Sequence, residues 1–252
     1  MKKTVWKNVW QTGATLVFLI GLWIAVWAIV GNDSIFPPFG ASVKAFFSYF
    51  VKGAFWRALG GTFLRVLLAF FASFIFGGGL AFVAYLCPAF ARIFAPIVTI
   101  IRVLPVFAIV FMLLAWTNAI ITPALVAFLS LFPMLYTAFL GAFSGVDTNL
   151  VEMSKIYNVP LKKRITKLYL PSVAPFVVKE IGAGLSFGVK LVVSAEVLVQ
   201  TRKSVGALVL ETQYLYEELA QTFALVIAVC LIGFLLECLG AMLAKRVERW
   251  LQ

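Results

Sequence analysis

The chain has 252 residues, of which 63% are hydrophobic, while only 21 are Lys or Arg and 10 are Asp or Glu. A soluble domain is nearer half apolar, so this composition indicates several membrane spans and leaves too few polar residues to cover a globule. The formal net charge of +11 does not point to nucleic acid, because the basic residues stand in short connections between apolar runs and form no basic, aromatic-interleaved pattern.

Side chains that commonly carry enzyme chemistry are scarce. The sequence contains no histidine, which removes the commonest general base and metal ligand and disfavours hydrolases and metalloenzymes. Cys87, Cys230 and Cys238 have neither metal-ligand nor redox spacing, and two of them lie in the last apolar run as small packing residues. No metal site is therefore predicted.

Six apolar segments are each long enough for a spanning helix, which needs about 20 mostly apolar residues. The first is longer than the apolar region of a signal peptide, so we expect a retained helix. Residues 103–146 carry no charge, and Pro123 lies where it can divide this long run into two spans. The predicted spans are residues 12–30, 64–86, 93–116, 120–143, 173–199 and 221–243, and residues 35–56 are predicted as a turn and a surface helix.

The distribution of Lys and Arg predicts the orientation of these spans. With both termini inside, the inside segments carry 12 Lys and Arg residues and the outside segments carry 5. Cytoplasmic segments normally hold the excess of positive charge. We therefore expect a multi-pass membrane protein with both termini in the cytoplasm, where the most basic connection, residues 147–171, also lies.

The connection at residues 147–171 is predicted to begin with a short, capped helix. Asp147 or Thr148 can cap it by accepting hydrogen bonds from free backbone N–H groups. Asn158 enters the left-handed backbone region readily and Pro160 follows it, which together predict the end of the helix.

A second, basic helix is predicted to begin near Leu161 and to reach the membrane, where Pro171 begins the next segment. The result is a compact pair of helices held against the bilayer between two spans. Apolar residues on such a surface helix favour insertion into a groove of a partner. This element can therefore pass force between a soluble partner and the membrane helices.

The same connection resembles the loop that defines permeases of binding-protein-dependent ABC importers. In that family a Glu-Ala-Ala triplet precedes a Gly and then an Ile-x-Leu-Pro motif. Here Glu152-Met153-Ser154 occupies the triplet, Asn158 the glycine, and residues 168–171, which end in Pro171, the final motif, all at the family's spacings. Met153 is bulkier than the family residue, whereas Ser154 and Asn158 keep the small size and the turn geometry.

Further segments extend the resemblance over most of the chain. Residues 34–45, 62–70, 101–106 and 194–198 have counterparts in permeases of the nitrate, taurine and alkanesulfonate class, which also includes transporters for vitamin precursors. One departure follows the third predicted span, where family members often have glycine and this chain has Trp116-Thr-Asn-Ala.

The resemblance implies an all-α, polytopic inner-membrane subunit with a single permease domain over residues 1–252 and a cytoplasmic coupling helix between the fourth and fifth spans. It implies three partners: an ATP-binding-cassette ATPase dimer that binds ATP and Mg, an extracytoplasmic substrate-binding protein, and a second permease copy in a homodimer. The substrate would be a small organic or anionic solute such as a sulfonate, nitrate or a vitamin precursor. The residues expected to couple to the ATPase are Leu150, Glu152, Met153, Ser154, Tyr157, Asn158, Pro160, Leu170 and Pro171.

The chain itself carries no nucleotide-binding signature. A P-loop needs two glycines separated by four residues and followed by Lys and Ser or Thr. The nearest approach, Gly182 to Lys190, has the wrong spacing and lies inside a predicted span. We therefore expect this chain to bind no cofactor and to perform no catalysis, so that any ATP hydrolysis belongs to the partner.

Ionisable residues inside spans are costly and therefore become functional candidates. Arg102 is predicted to lie about 15 Å into the third span, at about 1.5 Å per residue. Arg102 and Lys190 are predicted to line a translocation pathway that favours anions, and Glu196 to lie at its outer mouth. The alternatives are a structural ion pair or a side chain that reaches toward the headgroups.

Other classes of membrane protein fit the sequence less well. A secondary transporter driven by an ion gradient would show inverted repeats, and no convincing internal repeat occurs. A component of a vitamin-uptake complex would carry paired Ala-Arg motifs, and Ala91-Arg92 is the single candidate. A membrane enzyme would need clustered carboxylates or histidine in the spans.

Overall fold

A computed structural model describes residues 2–215 and 218–251, and the regular structure in these ranges is entirely helical, which confirms the all-α prediction. The helices are α1 (Lys2–Val30), α2 (Phe39–Val51), α3 (Gly53–Leu86), α4 (Pro88–Val103), α5 (Val106–Trp116), α6 (Thr122–Ser144), α7 (Thr148–Ile156), α8 (Leu161–Arg164), α9 (Leu170–Val199), α10 (Val205–Leu210) and α11 (Leu219–Leu251). Two π-helical turns, Ile165–Tyr169 and Glu211–Leu215, directly follow α8 and α10.

Five of the described helical rods are long and apolar enough to cross a membrane: α1, α3, α6, the continuous Leu161–Val199 rod and α11. A sixth crossing requires α4 and α5 together, and these two helices meet at an angle of 94°. The number of spans expected from the sequence is therefore reached only if this bent pair counts as one.

The single helix predicted over residues 93–116 is wrong in this respect. Leu104 has an extended backbone (φ −60°, ψ 127°), and α5 begins only after Pro105. Proline lacks the N–H that would continue the helix, and it disfavours the helical conformation of the residue before it. The bend therefore follows from Pro105, and the depth predicted for Arg102 along a straight helix does not apply.

Whereas the predicted span at residues 93–116 is broken into two helices, the helix after the basic connection is longer than predicted. Pro171 was expected to begin a new segment, but it lies inside a continuous rod. The π-helical turn Ile165–Tyr169 joins α8 to α9, and the Leu170 N–H bonds to the carbonyl of Ile165, five residues back. A π-helical turn widens the helix. Pro171, which has no N–H to give, is therefore accommodated within one continuous rod.

The surface helix predicted near residues 35–56 is present as α2, and α3 begins at Gly53, well before the expected start of the second span. Tyr49 fixes α2 to α11, since its hydroxyl donates to Gln221 Oε1 at 2.9 Å. Burial, with the negative charges of Glu218 and Glu211, raises the pKa of Tyr49 to about 12. The phenol thus keeps the proton that it donates.

The centre of the bundle is formed by α3, α6 and α9, whose fully buried side chains include Val66, Leu131 and Val192. On its other side α9 packs against α11, and at Gly182 and Gly240 no side chain separates the two backbones. A Cβ added to Gly182 would lie 2.6 Å from the Cα of Gly240. Small residues permit this close approach of membrane helices, where van der Waals packing drives association.

Helix α1 stands largely apart from this bundle. The Trp23 ring packs among Phe36, Phe39 and Phe223, and its indole N–H donates to the carbonyl of Pro37 at 3.0 Å. Between residues 17 and 30, most of its other apolar side chains are exposed, as at Ile29, which is 84% exposed. An exposed apolar surface of this extent fits contact with lipid or with another subunit.

Candidate functional site

Helix α7 is delimited by the residues that the sequence indicated. The Asp147 side chain caps its start by accepting a hydrogen bond from the Asn149 N–H at 2.8 Å. Asn158 has a positive φ of 51°, and the Val159 N–H returns to the carbonyl of Ser154 at 2.9 Å. These contacts satisfy end groups of the helix that would otherwise lack partners. The cap and the left-handed turn are therefore confirmed.

The two faces of α7 have opposite environments. Val151 and Ser154 are buried, and the Ser154 hydroxyl donates to the Val151 carbonyl at 2.6 Å. The rest of the helix is exposed and carries large apolar side chains beside the acidic Glu152 and the basic Lys155. Its large exposed residues are Leu150, Met153, Ile156 and Tyr157. We call these four residues with Glu152 the α7 face.

The buried side of α7 joins the helix to the membrane bundle. Val151 belongs to the same apolar core as Phe143 of α6 and Val173 of α9. Tyr169, 2% exposed, contacts the rings of Phe82 and Tyr85 on α3. Displacement of α7 must therefore displace these side chains, because close-packed interiors transmit strain.

The remaining predicted coupling residues lie at other points of the connection. Pro160 is exposed and caps the start of α8. Leu170, 53% exposed, and the partly buried Pro171 stand at the beginning of α9, beyond the π-helical turn. They therefore do not belong to the α7 face, and Ser154 turns away from it.

Arg102 occupies the last turn of α4, immediately before the bend at Leu104. Its guanidinium donates to Thr137 Oγ1 of α6 at 2.9 Å, and the residue is exposed. Arg102 and Thr137 line a cavity of about 400 Å³, with Phe187 of α9 on another wall. The remaining N–H groups of the guanidinium give this cavity donors for an anion.

Lys190 is exposed one turn further along α9 than Phe187. It lines a mainly apolar groove of about 880 Å³ between α9 and α11, together with Glu237 of α11. Phe187 borders this groove and the Arg102 cavity. The structure thus places the two predicted pathway cations in two neighbouring cavities that share Phe187, a residue not predicted as part of the pathway.

Glu196 is placed otherwise than predicted, because it is fully buried and does not face an open mouth. Its carboxylate accepts hydrogen bonds from Arg65 Nη1 and Thr62 Oγ1, each at 2.9 Å, and from the Gly206 N–H at 3.2 Å. A buried carboxylate requires such partners, since an unpaired one is strongly destabilising. Arg65 and Thr62 were missed as site residues, although the predicted spans put Arg65 and Glu196 at the same membrane level.

The sequence family of the chain identifies the kind of subunit that carries this site. Residues 73–249 match the family of binding-protein-dependent transport system inner membrane components. The chain belongs to this family. It is the permease subunit of an ABC importer, as the coupling-loop resemblance had implied, and not a secondary transporter driven by an ion gradient.

The chain is similar in sequence to two bacterial transport permeases. It is 24% identical over 257 residues to the putative aliphatic sulfonates transport permease protein SsuC of Bacillus subtilis strain 168, covering 96% of this chain and 88% of the relative. It is 25% identical over 203 residues to the taurine transport system permease protein TauC of Escherichia coli K12, covering 80% and 73%. Both relatives fall in the class that the sequence segments suggested.

Solved importers share the fold of the permease. A bacterial ABC transporter for the import of the acidic polysaccharide alginate matches with a TM-score of 0.67 at 13% identity, covering 96% of this chain and 98% of that one. The inward-facing MetNI methionine ABC transporter matches with a TM-score of 0.64 at 16% identity, covering 77% and 96%. At these identities the likeness concerns the fold alone.

Proposed function

We propose that this permease forms a homodimer that couples, through the α7 face, to an ATP-binding-cassette ATPase dimer in the cytoplasm. The supporting observation is an exposed apolar surface on a capped helix whose other side is built into the bundle core. Membrane proteins expose apolar surface to lipid, but α7 lies in the most basic connection of the chain, outside the long apolar helices. A groove in a soluble partner is the occupant that this chemistry fits.

Nucleotide chemistry would then belong to the partner, which binds ATP and Mg, and this chain would supply the pathway. Closure of the ATPase dimer would move α7, and the core residues around Val151 and Tyr169 would pass the displacement to α3, α6 and α9. An extracytoplasmic binding protein would deliver the substrate at the end of the bundle opposite α7. Both termini would then be cytoplasmic.

The coupling proposal is tested by Met153→Asp, which adds a charge to the centre of the α7 face. Loss of the apolar contact should reduce the amount of ATPase that co-purifies with the tagged permease by at least about tenfold, the effect of about 1.4 kcal/mol. The homodimer is tested separately, because native mass spectrometry of the unmodified complex should give two copies of the permease and two of the ATPase.

The matched control is Ile35→Asp, which places the same charge on an exposed residue between α1 and α2. This control should retain the ATPase. Equal retention by both variants, or a permease that transports without any ATPase in liposomes, would refute the coupling proposal.

We further propose that the transported solute is a small organic anion of the sulfonate class. Arg102 and Lys190 supply positive charge in two cavities that share Phe187, and the groove around Lys190 is mainly apolar. A solute with an anionic head and a short organic body fits both features. The names of the two relatives, which refer to aliphatic sulfonates and to taurine, support the same class.

A further inference from the structure

The buried carboxylate of Glu196 lies within a hydrogen-bond network that joins four segments at the end of the bundle opposite α7. Arg65 of α3 bonds Glu196 and also donates from Nε to the carbonyl of Ile120, at 3.0 Å, in the α5–α6 loop (residues 117–121). Thr62 accepts from the Val205 N–H at 3.0 Å while it donates to Glu196. The Arg65 side chain thus ties α3 to both α9 and the α5–α6 loop.

The segment of residues 200–215 is held to the same loop by a second route. The Thr201 hydroxyl donates to the carbonyl of Ala119 at 2.7 Å, and Thr201 is fully buried. The Thr201 N–H bonds the backbone carbonyl of Glu196 at 3.1 Å. We call Thr62, Arg65, Glu196 and Thr201 the clamp.

Two glycines allow the backbone to close tightly around the clamp. A Cβ on Gly61 would lie 2.8 Å from the carbonyl oxygen of Lys203, and a Cβ on Gly206 would lie 2.5 Å from the Cβ of Glu196. Gln200 and Lys203 both adopt positive φ angles, of 54° and 52°. Such conformations persist in residues other than glycine only where the surroundings fix them. The backbone at the start of the 200–215 segment, over residues 200–206, is therefore fixed by its surroundings.

The clamp is continuous with α5, the helix on the far side of the bend. Ile109 and Val110 of α5 form a buried cluster with Ala195 and Val199, which flank Glu196 on α9. At its other end α5 begins at the bend of Leu104 and Pro105, two residues beyond Arg102. A displacement of the clamp would therefore be passed through the packed side chains of α5 to the cavity that Arg102 lines.

We propose that Arg65 and Glu196 are positioning residues for transport, which make the 200–215 segment, the α5–α6 loop and α5 one rigid unit that turns about the Leu104–Pro105 bend. This inference rests on the proposed function, in which the binding protein delivers substrate at this end. A force applied to the 200–215 segment is then passed through α5 to Arg102, and the 94° bend between α4 and α5 is the hinge. A buried ion pair is weak evidence for stability, and a role in fixing one geometry accounts for it better.

The rigid unit is tested by distances between spin labels in a chain whose Cys87, Cys230 and Cys238 are replaced by Ser. Labels at Trp116→Cys and Arg202→Cys report on the unit, and labels at Ile93→Cys and Trp116→Cys report across the bend. The permease is assembled with its ATPase in nanodiscs and measured without nucleotide and after trapping with ATP and vanadate. The 116–202 distance should stay the same between the two states, whereas the 93–116 distance should change.

Two variants separate positioning from mere folding. Arg65→Lys keeps the charge but its single ammonium cannot bond Glu196 and Ile120 in the same geometry. Thr201→Val keeps the volume and the ion pair and removes only the bond to Ala119. Each should make the 116–202 distance differ between states and raise the ATP hydrolysed per solute transported by about tenfold, a typical coupling between two sites.

The adjacent glycines provide the matched control. Gly61→Ala presses on the Lys203 carbonyl and should uncouple transport in the same way, whereas Gly60→Ala enters open space and should behave as the unmodified permease. A 116–202 distance that changes in the unmodified permease, or normal coupling in both Arg65→Lys and Thr201→Val, would overturn the inference. Failure of the unmodified complex to hydrolyse ATP or to take up solute would instead refute the proposed function.

Discussion

Arg102 shows how one residue can combine a structural and a transport role. Its bond to Thr137 ties the last turn of α4 to α6, and its remaining donors face a cavity. The residue stands next to the 94° bend between α4 and α5. Movement at that bend would therefore reorient the guanidinium relative to the cavity.

Replacement of Arg102 by Ala should abolish uptake while the ATPase still assembles with the permease. The expected loss is at least tenfold, about 1.4 kcal/mol, because the variant removes the charge that stabilises the anion. Uptake of labelled taurine and of longer alkanesulfonates by the reconstituted importer, with its binding protein, measures the effect. Arg57→Ala, an exposed cation at the start of α3, is the control and should transport normally.

Normal uptake by the Arg102→Ala variant would remove Arg102 from the pathway. Transport of neutral solutes by the unmodified importer in preference to all sulfonates would refute the proposed substrate class. The two results are independent, since the first concerns one residue and the second the selectivity of the whole importer.

Predictions at the level of single residues succeeded where the determinants are local. Asp147 and Asn158 act through backbone groups a few positions away, so their roles follow from residue type and order. Glu196 was predicted incorrectly because its partner Arg65 is 131 positions distant. The membrane level of both residues was available from the predicted spans, but level alone does not establish that two helices are neighbours.

At the level of helices, the backbones of α9 and α11 touch at a pair of glycines. Neither backbone carries a side chain at the point of contact, because Gly182 and Gly240 face each other. A side chain there can be accommodated only if the helices separate along part of their length.

Gly182→Ala should therefore destabilise the permease by about 1–3 kcal/mol, the usual result of overpacking a core. Gly141→Ala is the control, since a Cβ at Gly141 would meet nothing within 4 Å, and it should be neutral or slightly stabilising in its helix. Thermal unfolding in detergent measures both. Equal unfolding temperatures for the two variants would contradict the tight contact between α9 and α11.

Helix positions were predictable to the extent that apolar length determines them. The segment predicted at residues 120–143 corresponds closely to α6, whereas α11 begins near the segment predicted at 221–243 but continues to Leu251. The bend at Pro105 and the π-helical turn before Pro171 were not predicted, although both follow from proline. Proline interrupts one helix and is absorbed by the other, and the difference depends on neighbouring helices that the local sequence does not reveal.

For the whole molecule, the positive-inside distribution remains the basis for orientation. A membrane-impermeant maleimide applied to intact cells should label Lys203→Cys and leave Lys155→Cys unlabelled, in a chain without its native cysteines. Both residues are exposed, so accessibility within the fold does not distinguish them. Labelling of Lys155→Cys and protection of Lys203→Cys would reverse the orientation and place α7 on the wrong side for an ATPase.

The uninterrupted rod from Leu161 to Val199 has a geometric consequence. Its 39 residues measure about 58 Å at about 1.5 Å per residue, and Gly182, where it touches α11, lies near its midpoint. A contact at that place serves as a fulcrum, so that a tilt of about 10° would swing each tip by about 5 Å in opposite directions. A force near the basic connection would then bring α9 closer to the bundle at one end and move it away at the other, without any bending of α9.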